Sequence, residues 1–103
     1  MGQARAVKLR YTLPALADLA SILDQIAAAS PQGAQRVQRR IQHIVDLLLT
    51  HPHIGVRTGD PTIRRLTTTP YPFLVFYEVA TEEIIIHAIR HSACDPSRMP
   101  GAQ

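Results

Sequence analysis

Residues 73–79 read Phe-Leu-Val-Phe-Tyr-Glu-Val, and residues 83–90 read Glu-Ile-Ile-Ile-His-Ala-Ile-Arg. Both stretches are rich in β-branched and aromatic side chains, which are typical of strands. Only Ala80-Thr81-Glu82 separates them, so the sequence predicts a hairpin of two antiparallel strands. This hairpin decides the fold class, because a sheet built on it must bury its apolar side chains against another layer.

The same two stretches are apolar on both faces. A strand with one face in water alternates apolar and polar residues, whereas residues 73–77 and 84–86 are uninterrupted apolar runs. Exposed apolar surface of this extent marks an interface. We therefore expect the second face of the sheet to be covered by the C-terminal tail or by another chain.

Two further strands extend the predicted sheet. Residues 63–68 read Ile-Arg-Arg-Leu-Thr-Thr and lead into the Thr69-Pro70-Tyr71-Pro72 connection, while residues 6–11 alternate apolar and polar residues. Residues 51–62 contain two prolines and two glycines without periodicity, which predicts a loop.

Two helices are predicted between the first two strands. Thr12 and Ser30 are suited to N-caps, and each precedes a proline that a first helical turn tolerates. Asp18 is expected near the positive end of the first helix dipole. The apolar positions that recur at spacings of three and four, and that we expect to face the sheet, are Leu16, Leu19, Leu23 and Ile26 in the first helix, and Val37, Ile41, Ile44 or Val45, and Leu48 in the second. The second helix has a basic outer side formed by Arg36, Arg39, Arg40 and His43.

The predicted order of elements is β-α-α-β-β-β, an α+β fold. Because the helices are joined tightly, they should form an antiparallel hairpin. This hairpin is expected to cover one face of a mainly antiparallel four-stranded sheet. We expect residues 1–94 to form a single domain and residues 95–103 to form an irregular tail.

The amino-acid composition limits the classes of protein to which the chain can belong. The chain has 103 residues, of which 46% are hydrophobic and 18% charged, with a formal net charge of +3. Such a chain is typical of one globular domain, and no apolar run approaches the roughly 20 residues of a membrane span. The single Cys94 excludes an internal disulfide and a multi-cysteine zinc site. We expect a cytoplasmic protein without a secretory signal, a metal or a cofactor.

Three patterns in this order resemble the RelE/ParE superfamily of bacterial toxins from toxin–antitoxin modules. They lie in residues 15–22, in residues 51–57 continuing into 63–66, and in residues 71–79 followed by 84–91. The resemblance spans about residues 7 to 94, nearly the whole chain.

The resemblance implies one of two modes of action. RelE-like members cleave mRNA in the ribosome, whereas ParE-like members largely lack the cleaving residues and are associated with inhibition of DNA gyrase. Many ribonuclease relatives have Arg or Lys in the strand of residues 73–79, which has neither here, and Cys94 stands where several relatives have Arg. We therefore expect a ParE-like toxin without catalytic residues, and a RelE-like ribosome-dependent mRNA endonuclease as the alternative.

Five residues are candidates for contacting a target or partner: Arg64, Arg65, Tyr77, Arg90 and His91. Arg64 and Arg65 match the family's basic position and point to opposite faces of their strand, where either can hold a phosphate or remain a solvated cation. Tyr77 fits a core residue with a tethered hydroxyl better than an exposed phenol. Under the alternative, His91 would move a proton while Arg65 or Arg90 stabilises the phosphate.

The resemblance also implies an antitoxin whose C-terminal segment wraps the toxin. The net positive charge and the two-sided apolar strands favour an acidic, amphipathic segment, which we expect to be encoded next to the toxin. It should lie across the open sheet face or add a strand at the sheet edge. A higher-order toxin–antitoxin complex and DNA gyrase as the target complete the expected partners.

Overall fold

The computed structural model describes residues 8–93 and 99–100. In chain order its elements are β1 (Lys8–Tyr11), α1 (Leu13–Ala29), α2 (Pro31–Leu47), β2 (Val56–Arg57), β3 (Ile63–Thr68), β4 (Tyr71–Ala80) and β5 (Glu83–His91). The part of the first predicted strand that precedes Lys8 lies outside the described residues.

The strands form one sheet in the order β1-β5-β4-β3-β2. Strand β1 pairs with β5 in parallel, and the other neighbours are antiparallel. The α+β fold with a mainly antiparallel sheet is therefore confirmed, but the sheet has five strands and not four. The additional strand is β2, which lies inside the region predicted as a loop. Its two residues pair with Arg65 and Arg64 of β3. Two residues are too few to produce a periodic pattern, so β2 depends on its pairing with β3.

Both predicted N-caps are confirmed. The Thr12 hydroxyl accepts the amide hydrogen of Ala15 with an N···O distance of 3.2 Å. The Ser30 hydroxyl accepts that of Gly33 with an N···O distance of 2.9 Å. Ser30 also ends α1, because its extended backbone breaks the helix while its amide still bonds to Ile26. One residue thus separates the two helices.

The inward face of α1 differs from the prediction at Leu16, whose side chain is 47% exposed. The position that reaches the core is Ala15, with Leu19 and Leu23 packed partly beside it. The pattern was ambiguous because α1 is apolar around much of its circumference, so spacing alone selects no unique face. Asp18 was also misplaced by the prediction, since α1 has no acidic residue in its first turn.

Helix α2 buries the predicted stripe. Its side chains that lie below one-tenth exposure are Val37, Ile41, Ile44 and Val45, and Leu48 follows at its C-cap. Apart from Leu47 at its last position and Pro31 at its first, the remaining α2 positions are polar or small, so the amphipathic pattern selects one face, and that face is the buried one.

The sheet carries an apolar cluster on each face, as the two-sided strands predicted. On the helix-side face, Val75, Tyr77 and Ile86 pack against helices α1 and α2. The open face, opposite to it, carries Ile63, Leu74, Phe76 and Ala88. Met99 packs on the open face, so one residue of the predicted tail contacts it, and cover by the rest of the tail or by another chain stays a prediction. Residues 94–98 and 101–103 of the predicted tail lie outside the described part of the chain.

Candidate partner- and target-binding surface

Arg64 and Tyr77 hold the loop that leads into β2. The Arg64 guanidinium donates to the carbonyl oxygens of Gly55 at 2.8 Å and His53 at 3.2 Å. The Tyr77 hydroxyl donates to the carbonyl of Pro52 and accepts the amide hydrogen of Gly55, both at 2.9 Å. These two predicted contact residues therefore meet the loop backbone from the helix-side face.

The hydrogen bonds between Tyr77 and the loop backbone explain the properties of Tyr77 and of Gly55. Tyr77 is fully buried, and burial raises the pKa of its phenol, so the hydroxyl stays neutral and available as donor and acceptor. A side chain at Gly55 would place its Cβ 2.5 Å from the Tyr77 hydroxyl oxygen, so the position requires glycine. That Tyr77 contacts a partner stays a prediction; in the isolated chain its side chain is inside.

Arg65 lies on the other face of β3. It pairs in register with Phe76 of β4 and with Val56 of β2, which places it beside the open-face cluster. Its side chain is exposed and has no hydrogen-bond partner among the described residues. Arg65 is thus positioned to meet an external anion.

Arg90 is engaged by a carboxylate of α1. Its guanidinium donates to Asp18 with an N···O distance of 3.0 Å, and the second Asp18 oxygen accepts the Ile89 amide hydrogen at 3.0 Å. Strand β1 has ended by this point, so Asp18 takes the place of a neighbouring strand for the Ile89 amide. Sequence reasoning missed this role, because the Asp18–Arg90 contact spans 72 positions.

His91 ends β5 on the helix-side face. Its ring meets Phe73 edge-on, with ring centroids 5.5 Å apart. Its Nδ1 accepts the amide hydrogen of Ala93 at 2.9 Å. The tautomer that makes this bond carries its proton on Nε2, which is the ring nitrogen left to meet an external group.

Arg65 and His91 lie on opposite faces of the sheet, and the adjacent Arg90 is paired with Asp18. Arg65 is registered with the open face, whereas His91 packs on a helix-side residue. Phosphodiester cleavage needs the proton-transfer group and the cation at the same phosphate. That these residues contact a target or act on a phosphate stays a prediction.

The outer edge of the sheet combines exposed apolar and basic groups. Ile54 is 45% and Val56 60% exposed, and Arg57 and Arg65 lie beside them in the β2–β3 pair. We name Ile54, Val56, Arg57 and Arg65 the β2 edge. Sequence analysis identified Arg65 alone, since a two-residue strand leaves no pattern that would have marked Val56.

The remaining ionisable groups can be described only within the residues that the structure covers. Within residues 8–93 and 99–100, no cluster of three or more His, Cys, Asp or Glu side chains is suited to holding a metal ion. His87 contacts Glu78 with an N···O distance of 2.9 Å on the strands β5 and β4. In the same part of the chain, no helix is long and apolar enough to span a membrane.

Comparison with known proteins places this arrangement in a family. Residues 9–96 match the model of the ParE toxin of the type II toxin–antitoxin system parDE. Toxin RelE2 of Caulobacter vibrioides is 40% identical over 83 residues, covering 81% of this chain and 92% of that protein. A solved chain from the chromosomal ParDE system of P. aeruginosa superimposes with a TM-score of 0.72 at 28% identity, covering 84% of this chain and 96% of that one. The chain therefore belongs to the ParE toxin family of type II toxin–antitoxin systems, within the RelE/ParE superfamily.

Proposed function

We propose that this toxin acts by binding DNA gyrase in the cytoplasm, without catalytic residues of its own, and that a cognate antitoxin neutralises it. The observation that supports the proposal is that Arg65 and His91 lie on opposite faces of the sheet while Arg90 is paired with Asp18. A protein that cleaves RNA needs these groups at one phosphate, whereas a protein that binds a large target needs only an exposed surface.

The antitoxin site that fits best is the β2 edge. Strand β2 is the last strand of the sheet, and such a strand offers backbone groups to which an extended segment can pair. The exposed Ile54 and Val56 favour apolar contacts, while Arg57 and Arg65 favour carboxylates. An acidic, amphipathic segment from a neighbouring gene product meets both demands. The open face is the lesser candidate, because Met99 already packs on it.

Two purified assays test the mode of action. The toxin should block DNA supercoiling by gyrase and leave ribosome-bound mRNA uncut, because Arg65 lies on the face opposite to His91 and Arg90 is held by Asp18. His91→Ala should retain most of the inhibition, since a single exposed histidine contributes little to a surface that is spread over several contacts. Codon-phased mRNA cleavage that disappears in His91→Ala would establish the RelE-like alternative instead.

The antitoxin site is tested in the same gyrase assay. Added antitoxin should restore supercoiling in the presence of wild-type toxin but not in the presence of Val56→Asp, because the new carboxylate repels an acidic segment. Leu13→Asp is the matched control, since Leu13 is an exposed leucine far from β2 in the sequence and 81% accessible. Equal rescue of the Val56→Asp toxin would rule out the β2 edge as the docking site.

A further inference from the structure

The outer surface of α2 is basic, polar and free of apolar side chains. Arg39 and Arg40 lie three and four residues after Arg36, and His43 lies four and three residues after them, so all four residues share one side of the helix. We name these four residues the α2 stripe. With a rise of about 1.5 Å per residue, the stripe runs roughly 10 Å along the helix.

The stripe is held in place by the fold. The buried α2 positions face the sheet. The α2 stripe lies on the opposite side of the helix and therefore faces outward. The Arg40 Nε donates to the Thr69 carbonyl oxygen at 2.7 Å, which ties the middle of the stripe to the β3–β4 connection. Arg36 and Arg39 are exposed and have no hydrogen-bond or ion-pair partner among the described residues.

Glutamines add neutral donors beside the cations. Gln35, Gln38 and Gln42 line a shallow groove of about 470 Å³ together with Arg39. The one carboxylate of α2, Asp46, accepts a hydrogen bond from Gln42 at 2.9 Å and lies at the far end of the helix. Guanidinium and amide groups in this arrangement are donors for the oxygens of successive phosphates.

We propose that the α2 stripe binds the phosphate backbone of duplex DNA, independently of its base sequence. An amphipathic peptide would need apolar pockets or a strand edge, and the outer surface of α2 has neither. Single-stranded nucleic acid is held by aromatic side chains on which bases stack, and α2 contains no Phe, Tyr or Trp.

The choice of DNA over duplex RNA rests on the proposed function, because gyrase presents duplex DNA.

The charges of the two helices also determine which side of the helix hairpin would face the DNA. Helix α1 carries two carboxylates, Asp18 and Asp24, and no Lys or Arg. Asp18 is paired with Arg90, so the exposed Asp24 is the carboxylate that disfavours phosphates on the α1 side, whereas the α2 side attracts them. A toxin bound to gyrase would meet the enzyme's DNA with the α2 stripe.

The test measures binding to a short fluorescent DNA duplex by anisotropy, without gyrase. Three arginines give an expected slope of about −2.7 for the logarithm of affinity against the logarithm of salt, since each neutralised phosphate contributes about −0.9. Between about 50 and 200 mM salt, the affinity should then fall roughly 40-fold. The double variant Arg36→Gln/Arg39→Gln should reduce the slope to about −0.9 and weaken binding at low salt at least tenfold.

A matched control separates the stripe from net charge. Lys8→Gln/Arg10→Gln also removes two cations, but from β1 at the other edge of the sheet, and should bind DNA within about twofold of wild type. Circular dichroism checks that both variants are folded. Equal loss in the two double variants would overturn the proposal, and so would unchanged binding by Arg36→Gln/Arg39→Gln.

Competitors identify the ligand. Single-stranded DNA, duplex RNA and polyglutamate should each displace the DNA duplex only at clearly higher concentrations. Displacement by polyglutamate at equal charge would instead assign the stripe to an acidic protein segment, and equal displacement by duplex RNA would remove the choice of DNA. A toxin that binds DNA through the stripe but leaves gyrase active would contradict the proposed function alone. Inhibition of gyrase by a toxin without stripe-dependent DNA binding would contradict this inference alone.

Discussion

Helices α1 and α2 have equal lengths and a shared sheet, yet their outward surfaces are opposites. In α1, Leu13 is 81% and Leu16 47% exposed, and the exposed charged side chain is that of Asp24. In α2, the Val and Ile side chains that face the sheet are buried. The outer surface consists mainly of glutamine, arginine and histidine, with one aspartate.

The difference shows how one hairpin can offer two kinds of contact. An exposed apolar surface such as that of α1 is typical of protein contacts. A polar, basic surface such as that of α2 is suited to phosphates. Because both helices only need one inward face to stabilise the sheet, their outer faces are free to differ.

The largest expected effect compares the same substitution in the two helices. Leu48→Ala, at the fully buried C-cap of α2, should lower the free energy of unfolding by about 2–5 kcal/mol, because it removes packed methyl groups and leaves a cavity. Leu16→Ala in α1 should change it by no more than about 0.5 kcal/mol, because the site is exposed. Urea denaturation midpoints measure both. Similar losses at the two sites would mean that α1 is turned the other way.

A smaller effect compares the polar contacts by which each helix is tied to the sheet. Asp18→Ala should lower the free energy of unfolding by about 1–3 kcal/mol, because the Ile89 amide and the Arg90 guanidinium both lose their acceptor. Arg40→Ala should lower it by about 1 kcal/mol or less, because its bond to Thr69 is exposed.

Two variants serve as controls for this comparison. Asp18→Asn keeps an acceptor for the Ile89 amide and should fall between wild type and Asp18→Ala. Asp24→Ala removes an exposed carboxylate from the same helix and should be close to neutral. If Asp24→Ala were as destabilising as Asp18→Ala, loss of helix charge and not loss of the contact would be the cause.

The smallest effect compares the two N-caps. Thr12→Ala and Ser30→Ala should each lower the free energy of unfolding by about 0.5–2 kcal/mol. Thr12→Ala should have the larger effect, because the Thr12 hydroxyl also donates to the His87 carbonyl at 3.3 Å and so joins α1 to β5. Thermal denaturation of both variants, with Thr12→Ser and Ser30→Thr as conservative controls, measures the order. The reverse order would show that the contact with β5 is not stabilising.

The chain's local chemistry predicted most of the elements. Capping residues followed by proline marked both helix starts, and β-branched runs marked β3, β4 and β5. The burial of α2 was predicted correctly because polar residues leave only one apolar face. The inward face of α1 was not, since Leu16 and Ala15 are adjacent and a largely apolar helix does not distinguish between them.

The candidate site was less predictable than the fold. The opposite directions of Arg64 and Arg65 follow from the period of a strand and were predicted. Three other contacts were not predicted: Arg64 with the loop before β2, Arg90 with Asp18, and the His91 ring with the Ala93 amide. The first two join distant positions, and the third depends on how the chain turns after β5.

The sequence by itself determined the helix starts, the hairpin of β4 and β5, and the basic side of α2, because capping, strand propensity and helical spacing act between near neighbours. Tertiary structure alone decided that two residues form β2, that Asp18 completes the edge of β5, and that Arg65 and His91 lie on different faces. These outcomes depend on which distant backbone groups meet, since a buried donor or a short strand is stabilised only when its partner arrives. The sequence therefore identified the cations, and the tertiary structure decided on which surface each of them lies.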